Sequence, residues 1–196
     1  MEPIILASGS LRRQEYFKLL NLPFSIMPAS IDENYDNRME PRAVAETLAT
    51  RKVAQILDQL KDRVPPWICG ADTLLAVDHD IIGKPRDRED AKQTIMRLQG
   101  CDHKVITAVA LFNGTTRLTD CRSVVSTVSF AALSDDEIEW YLNTGEWQGV
   151  AGSYRIQGLA SCYISKITGS YSAIVGLPLH EFYLMLRENG YPYAVN

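Results

Sequence analysis

The run Trp67-Ile68-Cys69-Gly70-Ala71-Asp72-Thr73-Leu74-Leu75-Ala76-Val77 constrains the fold most. Almost wholly apolar, and lying between Pro65-Pro66 and Asp78, it reads as a strand in the core of a sheet. A carboxylate interrupts its middle. An unpaired buried aspartate is costly, so Asp72 is expected to be ion-paired, to hold a metal, or to sit at a cleft where the strand breaks. The plainer alternative is a structural aspartate that caps a neighbouring turn. Gly70 just before it permits close backbone approach or a bulge.

A second segment narrows the architecture. Ile4-Ile5-Leu6-Ala7, Ser8-Gly9-Ser10-Leu11-Arg12-Arg13 and the periodic stretch Tyr16–Leu22 read as strand, tight turn and helix, with Ser10 as N-cap. Two arginines at a helix N-terminus oppose its partial positive charge. They make sense if an anion sits there, held by backbone N–H groups, hydroxyls and guanidinium forks. A solvated arginine pair is the bland alternative.

Phe24–Ala29 reads as a second strand, and Ser30–Met39 as a polar loop carrying Asp32-Glu33, which alone would pass for a solvated acidic turn. Pro41 opens a long helix with Ala45, Leu48, Ala49, Val53 and Ile56 on its apolar face. Lys52 falls inside that stripe. A lysine there either snorkels outward or points into a functional cleft. Asp78-His79-Asp80 is expected to turn into a short strand ending at Gly83, followed by Lys84-Pro85. Asp87 and Ser134 cap two further helices, the latter in a capping box with Glu137. Val105–Phe112 and Leu118–Ala132 are expected as a hairpin turning at Asn113-Gly114. Gly149–Gly158 and Gly169–Ser172 read as loops, with a strand near Cys162–Ile167 between them and a last helix from Pro178 to Gly190. Interleaved helices and strands followed by paired strands predict an α/β fold, a mixed sheet flanked by helices with loops around a cleft. The whole chain, residues 1–196, is expected to form one domain.

Charge and cysteine usage exclude several classes. Acidic residues outnumber basic ones, 24 to 20, so a general binder of nucleic-acid polymers or membrane surfaces is not expected. Any anionic ligand must be gripped by a local cluster of cations. The four cysteines form no CxxC pair and read as buried or idle thiols. The three histidines show no metal-ligand spacing, which argues against zinc, and His103 reads as structural. No leader or spanning segment is visible, so a cytoplasmic protein is expected. What remains is Glu33 and Asp72 with Arg12, Arg13, Lys52 and Lys84, an inventory suited to phosphate chemistry with a hard divalent cation, Mg²⁺ or Mn²⁺.

The same residues carry a family resemblance. Ser8–Arg13, Asp32-Glu33, Leu48–Lys52, Gly70-Ala71-Asp72-Thr73, Gly83-Lys84-Pro85, Ala151–Gly158 and Gly169–Leu179 together resemble the Maf-type nucleoside triphosphate pyrophosphatases. The resemblance implies hydrolysis of a nucleoside triphosphate to its monophosphate and pyrophosphate, a divalent cation held by Glu33 and Asp72, and a homodimer. It also implies a twisted sheet with two lobes around a cleft, similar to inosine triphosphate pyrophosphatases. It makes Asp72 the proton acceptor and places Glu33, Lys52 and Lys84 beside it in the catalytic set, with Ser8 and Arg13 on the substrate. Arg12, Thr73 and Gln157 are the combination similar to the subfamily that acts on dTTP and UTP, where an amide suits a pyrimidine edge. Leu11, Ala108, Gly149-Val150, Ser153 and Arg155 depart from the family pattern. A pyrophosphatase for another modified nucleotide, or a nucleotide-binding regulator of cell division without turnover, are the alternatives.

Overall fold

The computed structural model describes residues 1–61 and 63–193. Seven strands form one sheet in the order β2-β1-β3-β5-β6-β7, with β4 beside β3. Strands β1 (Ile4–Leu6), β2 (Phe24–Ile26) and β3 (Trp67–Val77) run parallel, and β4 (Asp80–Ile82), β5 (Asp102–Asn113), β6 (Leu118–Phe130) and β7 (Ile164–Thr168) join antiparallel. The expected mixed sheet flanked by helices is the one found.

Strand alternation decides which helix covers which face. Ile68 and Ala76 of β3, with Ile106, Ala108, Ala110 and Phe112 of β5, pack under Ala45, Ala49, Val53 and Ile56 of α2 (Pro41–Leu60). Cys69, Ala71, Val109 and Leu111 point the other way, against Phe17 of α1 (Leu11–Leu19) and Phe182, Met185 and Leu186 of α6 (Leu179–Glu188). A third apolar cluster lies towards the far end of β3 and gathers α3 (Arg88–Leu98) and α4 (Asp135–Asn143) around Leu75, Val105, Val128 and Phe130. The short helix α5 (Tyr171–Val175), capped by Ser170, begins within the segment Gly169–Ser172 expected as loop.

Local differences have simple causes. Helix α1 starts at Leu11, directly after Ser10, where the expected cap puts it. Ser10 holds the cap position without a side-chain bond; the Ser8 hydroxyl instead accepts from the Ser10 N–H at 3.3 Å. The β5–β6 turn spans residues 114–117, with Asn113 Oδ1 accepting from the N–H groups of Thr115 and Thr116. Gly114 serves close packing there, since a Cβ would lie 2.2 Å from the Pro65 carbonyl oxygen. Cys69 is buried, which pushes its thiol up to about 12, whereas Cys101 and Cys162 are exposed. Among the described residues no helix is long and apolar enough to cross a membrane.

Candidate active site

The cleft begins as a gap in the sheet. One edge of β3 pairs with β5 from Trp67 to Ala76. The other pairs with β1 only through Cys69, and with β4 only from Leu75. Among the described residues Gly70–Leu74 therefore have no partner strand on that edge. The chain leaving β1 turns at Ser8 beside this opening and enters α1, so strand ends, a helix N-terminus and an unpaired strand edge meet at one place. The resulting cleft, about 790 Å³, is lined by all nine residues singled out from the sequence: Ser8, Arg12, Arg13, Glu33, Lys52, Asp72, Thr73, Lys84 and Gln157.

Asp72 lies on the face of β3 that α2 covers, and Lys52 comes down from α2 to meet it, Nζ to Oδ1 at 2.5 Å. Both are buried, 7% and 9% exposed, which settles the choice between a snorkelling lysine and an inward one. Gly70 makes this approach possible. A Cβ there would stand 2.5 Å from the Ala49 carbonyl oxygen and 2.9 Å from a Val53 methyl. Glu33 reaches the same ammonium from the other side at 3.7 Å. Its loop is no free acidic turn. Arg51 donates to the Asn34 carbonyl at 2.9 Å, and the Gln55 side chain bonds both backbone groups of Ser30, so α2 pins the loop at two points. Asp32 accepts from the Asn34 N–H at 2.9 Å and shapes the turn that presents Glu33.

Thr73, one residue on, faces the opposite side of the sheet. Its hydroxyl accepts from Arg13 Nη2 at 3.2 Å and lies 3.0 Å from the Thr107 hydroxyl. Thr107 gives its proton to the Ala173 carbonyl at 2.6 Å. Arg13 is turned inward rather than out to a ligand. Nε donates to the Gly176 carbonyl at 2.8 Å and Nη1 to Ser8 Oγ at 3.0 Å, which ties together β1, β3 and the loop after α5. Burial pulls its guanidinium below the usual range, and the charge of Asp72 opposes that shift. Arg12 stays at the cleft surface. Partial burial first, then the like charge of Arg155, lowers its pKa.

The segment 149–158 forms the facing wall. One 3₁₀ turn, Ala151–Ser153, lays Gly152 against β4, its N–H donating to the Gly83 carbonyl at 3.1 Å, next to Lys84. The Tyr141 hydroxyl donates to the Ser153 carbonyl at 3.1 Å, and Tyr154 meets buried His103 at 2.7 Å. Arg155 and Gln157 then line the cleft, and the Gln157 side chain is exposed within it. Thr107, Tyr154 and the Gly176 carbonyl were not legible as site residues. Only Thr107 and His103 left a signal, as polar positions in an apolar strand.

The lining carries five cations, Arg12, Arg13, Lys52, Lys84 and Arg155, against the carboxylates of Glu33 and Asp72. The whole chain is net −4. A cleft of opposite sign to its protein is arranged for an anion of high charge. The donor set also fits a hard divalent cation. Asp72 and Glu33 both face the Lys52 ammonium, at 2.5 and 3.7 Å, and carboxylate oxygens of this kind suit an ion that completes its shell with phosphate and water oxygens. Among the described residues no cluster of three or more His, Cys, Asp or Glu side chains offers a closed protein cage instead.

The family model described as Maf-like protein matches residues 3–189. The chain belongs to that family. A protein of Symbiobacterium thermophilum named dTTP/UTP pyrophosphatase is 40% identical over 192 residues, covering 98% of this chain and 96% of its own length. One of Pelotomaculum thermopropionicum with the same name is 39% identical over 191 residues, covering 97% and 98%. A solved structure of a nucleoside-triphosphatase, dITP/XTP pyrophosphatase, from Mycobacterium abscessus superposes with TM-score 0.42 at 15% identity, over 67% of this chain and 75% of that one.

Proposed function

We propose that this Maf-family protein is a nucleoside triphosphate pyrophosphatase that hydrolyses dTTP and UTP to the monophosphate and pyrophosphate. The observation that carries the reading is the cationic cleft at the gap in the sheet, with a buried carboxylate at its floor. In this reading Arg12, Lys84 and Arg155 neutralise the triphosphate, while Lys52 orients Asp72. Asp72 Oδ1 is taken by Lys52, and the second oxygen has no protein hydrogen bond among the described residues. That oxygen is free to take a proton from water as the water oxygen bonds to the α-phosphorus. The bond from that phosphorus to the α–β bridging oxygen breaks, and pyrophosphate leaves. Glu33 and Asp72 would hold the divalent cation, which supplies further charge neutralisation on the phosphates. Ser8 and Arg13 shape the turn under the substrate. Gln157 presents a donor and an acceptor to the pyrimidine edge, with Arg12 beside it and Thr73 acting through Arg13. The names of the relatives support dTTP and UTP as substrates. A homodimer belongs to the same reading and rests on the family resemblance.

The test is pyrophosphate release from dTTP, UTP, CTP and GTP with Mg²⁺ or Mn²⁺, and again in excess EDTA. The expected outcome is the highest kcat/KM for dTTP and UTP, abolished by the chelator. Preference for a purine triphosphate would overturn the substrate assignment. Tight binding without release from any of the four would make the protein a nucleotide sensor. Activity that survives EDTA would remove the cation from the site.

A further inference from the structure

Strand β5 is apolar on the face turned towards α1 and α6, except at Asn113, which donates to the Asn189 carbonyl at the end of α6, and at two positions nearer the cleft, His103 and Thr107. They are four residues apart on the same side of the strand, about 13 Å along it. Each grips one wall of the cleft. Thr107 holds the Ala173 carbonyl, next to Ile174–Gly176 of one wall. His103 holds the Tyr154 hydroxyl at 2.7 Å, directly before Arg155–Gln157 of the other.

The His103 contact is costly in isolation. The residue is 2% exposed, and its Nδ1 is buried with no partner among the described residues. Counting unmet groups assigns the protons. If Nε2 carried the hydrogen and donated to Tyr154, both Nδ1 and the phenolic proton would be left without partners. If Tyr154 donates to Nε2, only Nδ1–H is unmet, so that is the arrangement. Packing alone does not call for it, because Phe130 meets the Tyr154 ring edge-on at 4.9 Å and a phenylalanine would keep that contact. What the hydroxyl adds is direction. It fixes the ring along β5, and with it the start of the segment that carries Arg155 and Gln157.

We propose that His103, acting through Tyr154, is a positioning residue for base selection: it sets where Gln157 stands across the cleft from the Thr107-held wall. The inference rests on the proposed pyrimidine triphosphate reading. It assigns no chemistry to His103, which touches neither substrate nor the reacting atoms.

The experiment compares Tyr154→Phe, His103→Leu and His103→Gln with the unmodified protein. UTP and CTP share sugar and phosphates, so the ratio of their kcat/KM values reads the base edge alone. Loss of the tether in Tyr154→Phe and in His103→Leu is expected to lower kcat/KM for UTP about tenfold, and that for CTP by much less. Amide hydrogen exchange over residues 155–158 should quicken in both. A glutamine carbonyl can still accept from the Tyr154 hydroxyl, so His103→Gln should keep the ratio within about twofold of the unmodified protein. A merely structural histidine would lower both activities together. The proposal is overturned if the UTP:CTP ratio is unchanged in Tyr154→Phe and His103→Leu, or if His103→Gln and His103→Leu lose it equally. Tyr154→Phe removes one oxygen, and its thermal midpoint reports whether the fold survives. If the unmodified protein releases no pyrophosphate at all, it is the functional reading that fails. The ratio of UTP and CTP dissociation constants on the same variants then decides the positioning role by the same criteria.

Discussion

At the scale of single residues, the decisive feature is a pair of opposite charges buried together. Lys52 and Asp72 lie 2.5 Å apart, and a second carboxylate, Glu33, stands 3.7 Å from the same ammonium. Such a pair adds little net stability, because desolvation offsets most of the attraction. Its value is that it fixes the position of a carboxylate at the floor of an anion-binding cleft. Asp72→Asn keeps the shape and removes the proton acceptor. Turnover of UTP is expected to fall about 10²-fold or more, with triphosphate binding largely retained. Stopped single-turnover assays beside equilibrium binding of a non-hydrolysable analogue would separate the two effects. Near-normal turnover would take Asp72 out of the mechanism. An equal loss of binding would recast it as a binding group.

At the scale of elements, the site depends on how closely α2 lies on β3. Gly70 sets that distance, since its missing Cβ leaves room for the Ala49 carbonyl and Val53. Lys52 sits between those two residues on the helix, and Asp72 is one alternation beyond Gly70 on the strand. Gly70→Ala must therefore push the helix away and lengthen the Lys52–Asp72 contact. Overpacking of this kind costs about 1–3 kcal/mol. Stability and kcat should drop together, read by chemical denaturation and steady-state assay. A stable variant with normal kcat would show that something other than this glycine sets the spacing. The facing wall is held in a different way, by side-chain hydrogen bonds from Tyr141 and His103 rather than by strand pairing, so its tethers can be cut one at a time.

At the scale of the whole molecule, acid should find the buried histidine. Desolvation lowers the His103 pKa from 6.5 to about 4, while the unfolded chain protonates it near the ordinary value. Between those two pH values the unfolded state binds a proton that the folded state refuses, so stability falls as pH drops through that window. By pH 4.5 the loss from this one group is about 2–3 kcal/mol, and it levels off below pH 4. His103→Gln should remove that part of the acid sensitivity, measured as the difference in unfolding free energy between pH 7 and pH 4.5. The same acid loss in both proteins would mean that His103 titrates normally. The polar chemistry of the cleft was legible in the chain because its residues violate local pattern: a carboxylate inside an apolar strand, a lysine inside an apolar helical stripe, two arginines at a helix start. Strand and helix periods also marked most elements, since each period follows from burying one face. Three things lay beyond that reading. One was the inward turn of Arg13, whose acceptor is a carbonyl 163 residues away. Another was the opposed facing of Asp72 and Thr73, adjacent in sequence but separated by the sheet. The last was the grip of β5 on both walls through Thr107 and His103. Each depends on which surfaces meet across the sheet. Period and propensity are set by neighbours along the chain, whereas an acceptor for a buried donor exists only once distant segments have packed around it.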